Sequence, residues 1–129
     1  MEFLLADIRD AMPDGQYENI IWDAAIEHFT PDEIAKILTN IKARLTTDGI
    51  LSGYTIVEKQ DGGKHLHQHE YEFVDMSDLL RFLKPHFKRV RVFETKFPDR
   101  HNLYFWAFDG VLPFDLEWGH SVSTHLVSA

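Results

Sequence analysis

Apolar residues fall into separate runs along this chain, and the spacing inside each run selects its element. Ile34, Ile37, Leu38, Ile41 and Leu45 recur at helical spacing on one face, with Lys36, Asn40, Lys42 and Arg44 mostly away from it. Thr30, Pro31 and Glu33 precede the run as a capping box with proline at the first helical position, so a helix is expected to start there. Its cations gather toward the C-terminal end, where the helix dipole favours them. Residues 19–22 and 50–57 are short, largely apolar runs that predict buried strands, and Asp48-Gly49 supplies the turn before the second. Residues 17–55 therefore predict a strand–helix–strand unit of a parallel α/β sheet. Gly53 weakens a strand on its own account, so close approach of another backbone or of a ligand is expected there.

The rest of the chain extends this unit at both ends. Residues 2–6 form an apolar run ending at Asp7, which predicts a buried strand over 3–6 presenting Asp7 and Ile8 at the sheet edge. Met12-Pro13-Asp14-Gly15 is a turn signal. Residues 58–70 are polar and contain Asp61-Gly62-Gly63, so they predict a loop. Residues 76–83 predict a short amphipathic helix, capped by Asp75 or Ser77 and stopped by Pro85. Arg89, Val90, Arg91 and Val92 alternate as in a half-exposed strand over 89–97. A hairpin connection follows at 98–101. Residues 103–108 are apolar on both faces, as in a central strand. Residues 110–129 show no clear periodicity and stand apart as a tail to a domain spanning 1–109. The expected sheet order is 18–23, 49–57, 102–109, 89–97, with the first two parallel and 102–109 inserted antiparallel.

Composition narrows the function classes. The chain has 129 residues, enough for one domain. A formal net charge of -8 argues against a nucleic-acid surface, which needs a basic patch. The cluster at 84–91 alternates with apolar residues, as on a solvated strand face. With no cysteine, disulfides, thiolate zinc sites and thiol catalysis are excluded. No apolar run approaches the roughly 20 residues of a membrane span. A cytoplasmic protein is the default expectation.

Several segments resemble, in order, the C-terminal part of a class I S-adenosylmethionine-dependent methyltransferase. Ala6-Asp7-Ile8 resembles the end of that family's third strand, whose acidic residue and neighbour hold the adenine. Residues 17–22 resemble the fourth strand, which usually begins aromatic–Asp. Ile26-Glu27-His28-Phe29 resembles the leucine–Glu–His loop after it. Residues 45–50 resemble the Leu-Lys-Pro-Gly-Gly turn before the fifth strand, and residues 78–87 the helix before the sixth. The resemblance covers about residues 2–109 and implies a truncated, Rossmann-like mixed α/β sheet with helices on its faces: parallel strands plus a C-terminal antiparallel pair. It implies S-adenosyl-L-methionine as cofactor and a small-molecule methyl acceptor.

The departures lie at the front. No G-x-G-x-x-G segment occurs anywhere in the chain. The family's glycine loop and second strand are missing, about 60 residues at roughly 30 per strand–helix unit. The expectation is that the start is late and that the isolated chain is catalytically silent. Glu18 stands where Asp is usual, and Asp48 where Gly is usual. Without those strands the edge of 18–23 is bare and apolar, a template for pairing. It is expected to be covered by residues 2–6 folding back, or by the same edge of a second chain in a two-fold homodimer. The alternative to an enzyme is thus a non-catalytic dimeric interaction module.

Candidate site residues follow from these placements. The resemblance assigns Asp7 and Ile8 to the adenine; otherwise Asp7 caps a turn. Asp23, Glu27 and His28 lie just past a strand's carboxyl end, where α/β folds place ligands, and Asp23 is a further candidate for cofactor binding. His28 is either a general base toward an acceptor or a packing residue at the start of the helix. Trp22 reads as core. His65, His67 and His69 share one side of an extended segment, with Glu70 and Glu72 nearby. They are either zinc or nickel ligands or part of a polar His-rich loop. Arg100, His101 and Asn102 sit at the hairpin, as acceptor contacts or as turn residues.

Overall fold

The computed structural model describes residues 1–57, 70–112 and 126–128. The capping box expected from the sequence is present. Glu33 N donates to Thr30 Oγ1, Thr30 N donates to Glu33 Oε1 at 3.0 Å, and Pro31 opens helix α1 (Pro31–Arg44). Strand β1 (Tyr17–Asp23) precedes it, with a one-turn 3-10 segment Ile26–His28 between them. Strand β2 (Leu45–Ile56) follows directly. Helix α2 (Met76–Leu83) is capped by Asp75, whose carboxylate accepts from Asp78 N at 2.8 Å. Strands β3 (Arg89–Phe97) and β4 (Arg100–Phe108) form a hairpin across Pro98-Asp99. A short strand β5 (Leu126–Ser128) completes the described chain.

The sheet order is β1-β2-β4-β3-β5. β1 and β2 are parallel, and every other pair is antiparallel. The expected order of the first four strands holds, and β5, which no periodicity announces, adds to the outer edge of β3. Two expectations need correction. Residues 2–6 form no strand and stay exposed. A strand must satisfy its backbone groups on a neighbour, and the described chain offers this segment none. The turn expected before the second strand lies inside β2. The β1–β2 register jumps from Tyr17↔Leu45 to Asn19↔Ile50, so Asp48-Gly49 belongs to a bulge rather than a preceding loop.

One face of the sheet carries the core. Ile34, Ile37, Leu38 and Ile41 of α1 and Leu79, Leu80 and Leu83 of α2 are buried in one cluster with Trp22, Leu51, Val92 and Phe105. Both described helices therefore lie on the same face. Each such side chain contributes about 1.5–3 kcal/mol by leaving water. The opposite face carries Ile21, Tyr54, Phe93, Tyr104 and Trp106, all at least partly exposed. Phe93 stacks between Tyr104, at 4.9 Å between ring centroids, and Trp106, at 5.3 Å. Behind the sheet, Lys42 of α1 pairs with Asp109 just past β4, tying the helix's last turn to the strand end. Among the described residues no helix is long and apolar enough to cross a membrane.

Gly53 sits where β2 meets β1 at Trp22 and β4 at Phe105. A Cβ at this position would fall 2.1 Å from the Trp22 carbonyl oxygen and 2.8 Å from the Phe105 ring. The close approach expected from the sequence is thus made by the neighbouring strand. Gly53→Ala should lower unfolding free energy by about 3 kcal/mol or more, above the usual range for overpacking because a backbone atom must move. Urea unfolding of the purified variant measures this directly.

Candidate functional site

The two parallel strands end side by side, with Asp23 opposite Tyr54. Beyond that point the chain turns sharply. Ala24 adopts φ 48°, the left-handed region that a residue with a Cβ seldom occupies, while its N–H donates to Tyr54 O at 3.0 Å. The turn leaves Asp23 exposed at the carboxyl end of β1 and sends Ile26 into the core. The next residue, Glu27, is only 4% exposed, and its Oε2 accepts from Thr55 Oγ1 of β2 at 2.9 Å. Its backbone carbonyl accepts from Glu70 N at 2.8 Å and Tyr71 N at 3.0 Å. Glu27 thereby joins the loop after β1 to the segment leading into α2. His28 lies half-buried on the same short turn.

Two polar groups extend this end of the sheet. Tyr71 donates to Asp78 at 2.8 Å, and Arg81 binds both. Burial, reinforced by Asp78, raises the Tyr71 pKa. Burial pushes Asp78 upward, but the Val74 N–H, Arg81 and Tyr71 outweigh it and hold the carboxylate below its ordinary value. On the far side Val57 N donates to His101 O at 2.9 Å, which brings the hairpin end to the carboxyl end of β2. There His101 Nε2 lies 2.6 Å from Glu94 Oε2, with Lys96 at 3.5 Å from the same carboxylate. Glu94 is raised by burial and lowered more strongly by His101 and Lys96, so its net shift is downward.

Asp7 is tethered to the same end through Arg9, which bridges it to Glu33 in the first turn of α1. The Arg9 side chain, followed by the Arg9 backbone N–H, pulls the Asp7 pKa down to about 2. Asp7 also accepts from Asp10 N and Ala11 N through its carbonyl, so it closes a helical turn. Ile8 packs against the core. The candidates therefore divide. Asp23, Glu27 and His28 meet at the ends of β1 and β2, with Thr55 as a member that sequence reasoning missed. Its one signal was a hydroxyl on the same face of the strand as the buried Leu51. Asp7 lies on the β1 side, His101 and Asn102 on the β4 side, where Arg100 donates to Asn102 Oδ1 at 2.9 Å. Glu94 was also missed, since an alternating strand gives no hint of its partner. His65, His67 and His69 lie outside the described residues. Among the described residues no three metal-ligating side chains converge.

No protein-family model matches the chain, and no curated protein does. Solved structures do. The complex of DhpI with SAH superposes with a TM-score of 0.63 at 16% identity, over 86% of this chain and 56% of that one. The 1,6-didemethyltoxoflavin-N1-methyltransferase of Burkholderia thailandensis, with bound 1,6-didemethyltoxoflavin and S-adenosylhomocysteine, gives 0.66 at 22%, over 84% and 51%. The S-adenosylmethionine-dependent methyltransferase SibL gives 0.58 at 13%, over 81% and 34%. The chain spans about half the length of the first two. It thus has the fold of the C-terminal portion of a class I S-adenosylmethionine-dependent methyltransferase.

The sequence resemblance assigns Asp7, Ile8 and Asp23 to S-adenosyl-L-methionine, but nothing in this sequence supplies the glycine cradle for the methionine end. The Asp7 carboxylate is moreover already engaged by Arg9. The set does not fit the whole group.

Two outcomes follow from this geometry. Thr55→Val keeps the shape and removes the hydroxyl that donates to the buried Glu27 carboxylate, so it should cost about 2 kcal/mol, as for hydrogen bonds to charged groups. Thermal and urea unfolding read this. The depressed Glu94 pKa contributes stability that is present above the ordinary carboxylate range and lost as pH falls through the lowered value. Glu94→Gln should therefore flatten the acid limb of the stability–pH curve, read by thermal unfolding at a series of pH values.

Proposed function

We propose that this chain is the C-terminal portion of an S-adenosylmethionine-dependent methyltransferase that acts on a small molecule, and that the isolated chain is catalytically silent. The observation that carries the first half is the fold match: 84–86% of this chain, with its parallel β1–β2 pair and β4 antiparallel beside β2, superposes on structures that hold S-adenosylhomocysteine. One of them also holds 1,6-didemethyltoxoflavin, which supports a small-molecule acceptor. The second half rests on the missing glycine cradle.

The chain's own residues define what it contributes. Ala24 turns the backbone so that Asp23 faces solvent at the sheet end. Glu27 and Thr55 fix the two strand ends relative to each other. His28, beside them, is the candidate base toward an acceptor hydroxyl or amine. Catalysis in such a site would come mostly from placing two reactants in line, which requires both walls of the pocket. A cytoplasmic location belongs to the same proposal.

A second reading has its own observation. Among the described residues β1 pairs on one side only, with β2, and Ile21 on it is 69% exposed. In that reading the chain is a non-catalytic, dimeric module.

Calorimetric titration of the chain with S-adenosylhomocysteine separates activity from silence. We expect no binding tighter than about 100 µM, near 5–6 kcal/mol of affinity. A tighter, saturable isotherm would show that this chain holds the cofactor without the glycine loop, and would overturn the silent reading.

A further inference from the structure

The uncovered edge of β1 is one wall of a groove. Residues 8–13 run beside α1 rather than beside the strand. Arg9 reaches Glu33 at the helix start, and Arg44 at the helix end donates to Pro13 O at 2.9 Å. Between this segment and β1 lies an apolar hollow of about 290 Å³, lined among others by Ile8, Met12, Ile20, Ile21, Trp22 and Ile41. Trp22 is buried, and its indole N–H has no acceptor among the described residues. An extended segment in the groove would bring backbone carbonyls toward the Trp22 indole N–H and pairing groups to the β1 edge.

The same molecule carries a segment of matching character. Met1, Phe3, Leu4 and Leu5 are exposed, Phe3 by 90% and Leu5 by 102%. Residues 1–6, extended at roughly 3.3 Å per residue, span about 20 Å, against about 23 Å for the seven positions of β1. The segment adjoins the groove, because Ile8, Pro13 and Tyr17 line both the groove and the neighbouring hollow that Phe3 and Leu4 also line. Its path into its own groove is restricted by the turn at Asp7. Asp10 N and Ala11 N both donate to Asp7 O, and Arg9 clamps the Asp7 carboxylate. A neighbouring copy meets no such obstacle.

We propose that two copies of this chain exchange residues 1–6, each segment adding as a strand to the β1 edge of the other. The arrangement rests on the dimeric reading above and specifies how that dimer is built. It is isologous, so it closes at two chains instead of propagating. It covers both features that the single chain leaves open, the apolar segment and the edge.

Light scattering of the full chain should give twice the chain mass. Phe3→Asp with Leu5→Asp should raise the dimer dissociation constant by at least about 30-fold, the loss typical of buried anchor residues. The circular dichroism should not change, because neither side chain is buried in the protomer. Since the chain has no cysteine, Leu5→Cys gives a single site for a nitroxide. Mixed with isotope-labelled wild-type copies, the spin-labelled chains should broaden the amide signals of residues 19–22 in the labelled ones. A dimer that survives the double substitution, or broadening elsewhere, overturns the exchange but leaves the dimeric reading standing. A monomeric wild-type chain overturns both.

Discussion

A parallel pair of strands cannot be closed by a tight turn, and most of this molecule follows from that restriction. β1 and β2 need a crossover, and α1 supplies it with a start fixed by the Thr30–Glu33 capping box. The crossover brings both carboxyl ends to one side, where Asp23 and Tyr54 lie opposite each other. It also buries one stripe of α1 against one face of the sheet. Gly53 marks the tightness of the pair, since no Cβ fits against Trp22 O. β2 is then satisfied on its other side by β4, and β1 remains the end of the sheet.

The polar groups at the strand ends serve this frame first. Glu27 is a buried carboxylate held by Thr55, and its carbonyl anchors Glu70 and Tyr71. A buried polar group is tolerated when it is hydrogen-bonded. Such a group positions its neighbours more than it reacts. The exposed Asp23 and half-buried His28 are the side chains there with room to meet a ligand.

Elements carried by local chemistry were legible in the sequence. The α1 cap, the Asp75 cap of α2, the Pro98-Asp99 hairpin and the order of four strands all follow from residue spacing and turn types. What depends on a distant partner was not. Residues 2–6 have a strand's composition but no neighbour to pair with, so composition misled. β5 is three residues long and acquires its form only from β3. Glu94 and His101 are far enough apart in sequence that only the β3–β4 register brings them together. The candidate site was half visible: Asp23, Glu27 and His28 follow from one strand end, whereas Thr55 becomes a member only through the Glu27 carboxylate.

The insertion of β4 between β2 and β3 also sets the order in which this protein can be made. While a ribosome synthesises the chain, the first two strands and α1 emerge well before the residues that flank β2 on its second side. β2 then has an open hydrogen-bonding edge on that second side. The β3–β4 hairpin is local in sequence and forms quickly once its turn is out, but only its arrival closes the middle of the sheet. Stability therefore comes late, when residues 100–108 have left the exit tunnel. Until then the early strands present the apolar surface that chaperones recognise.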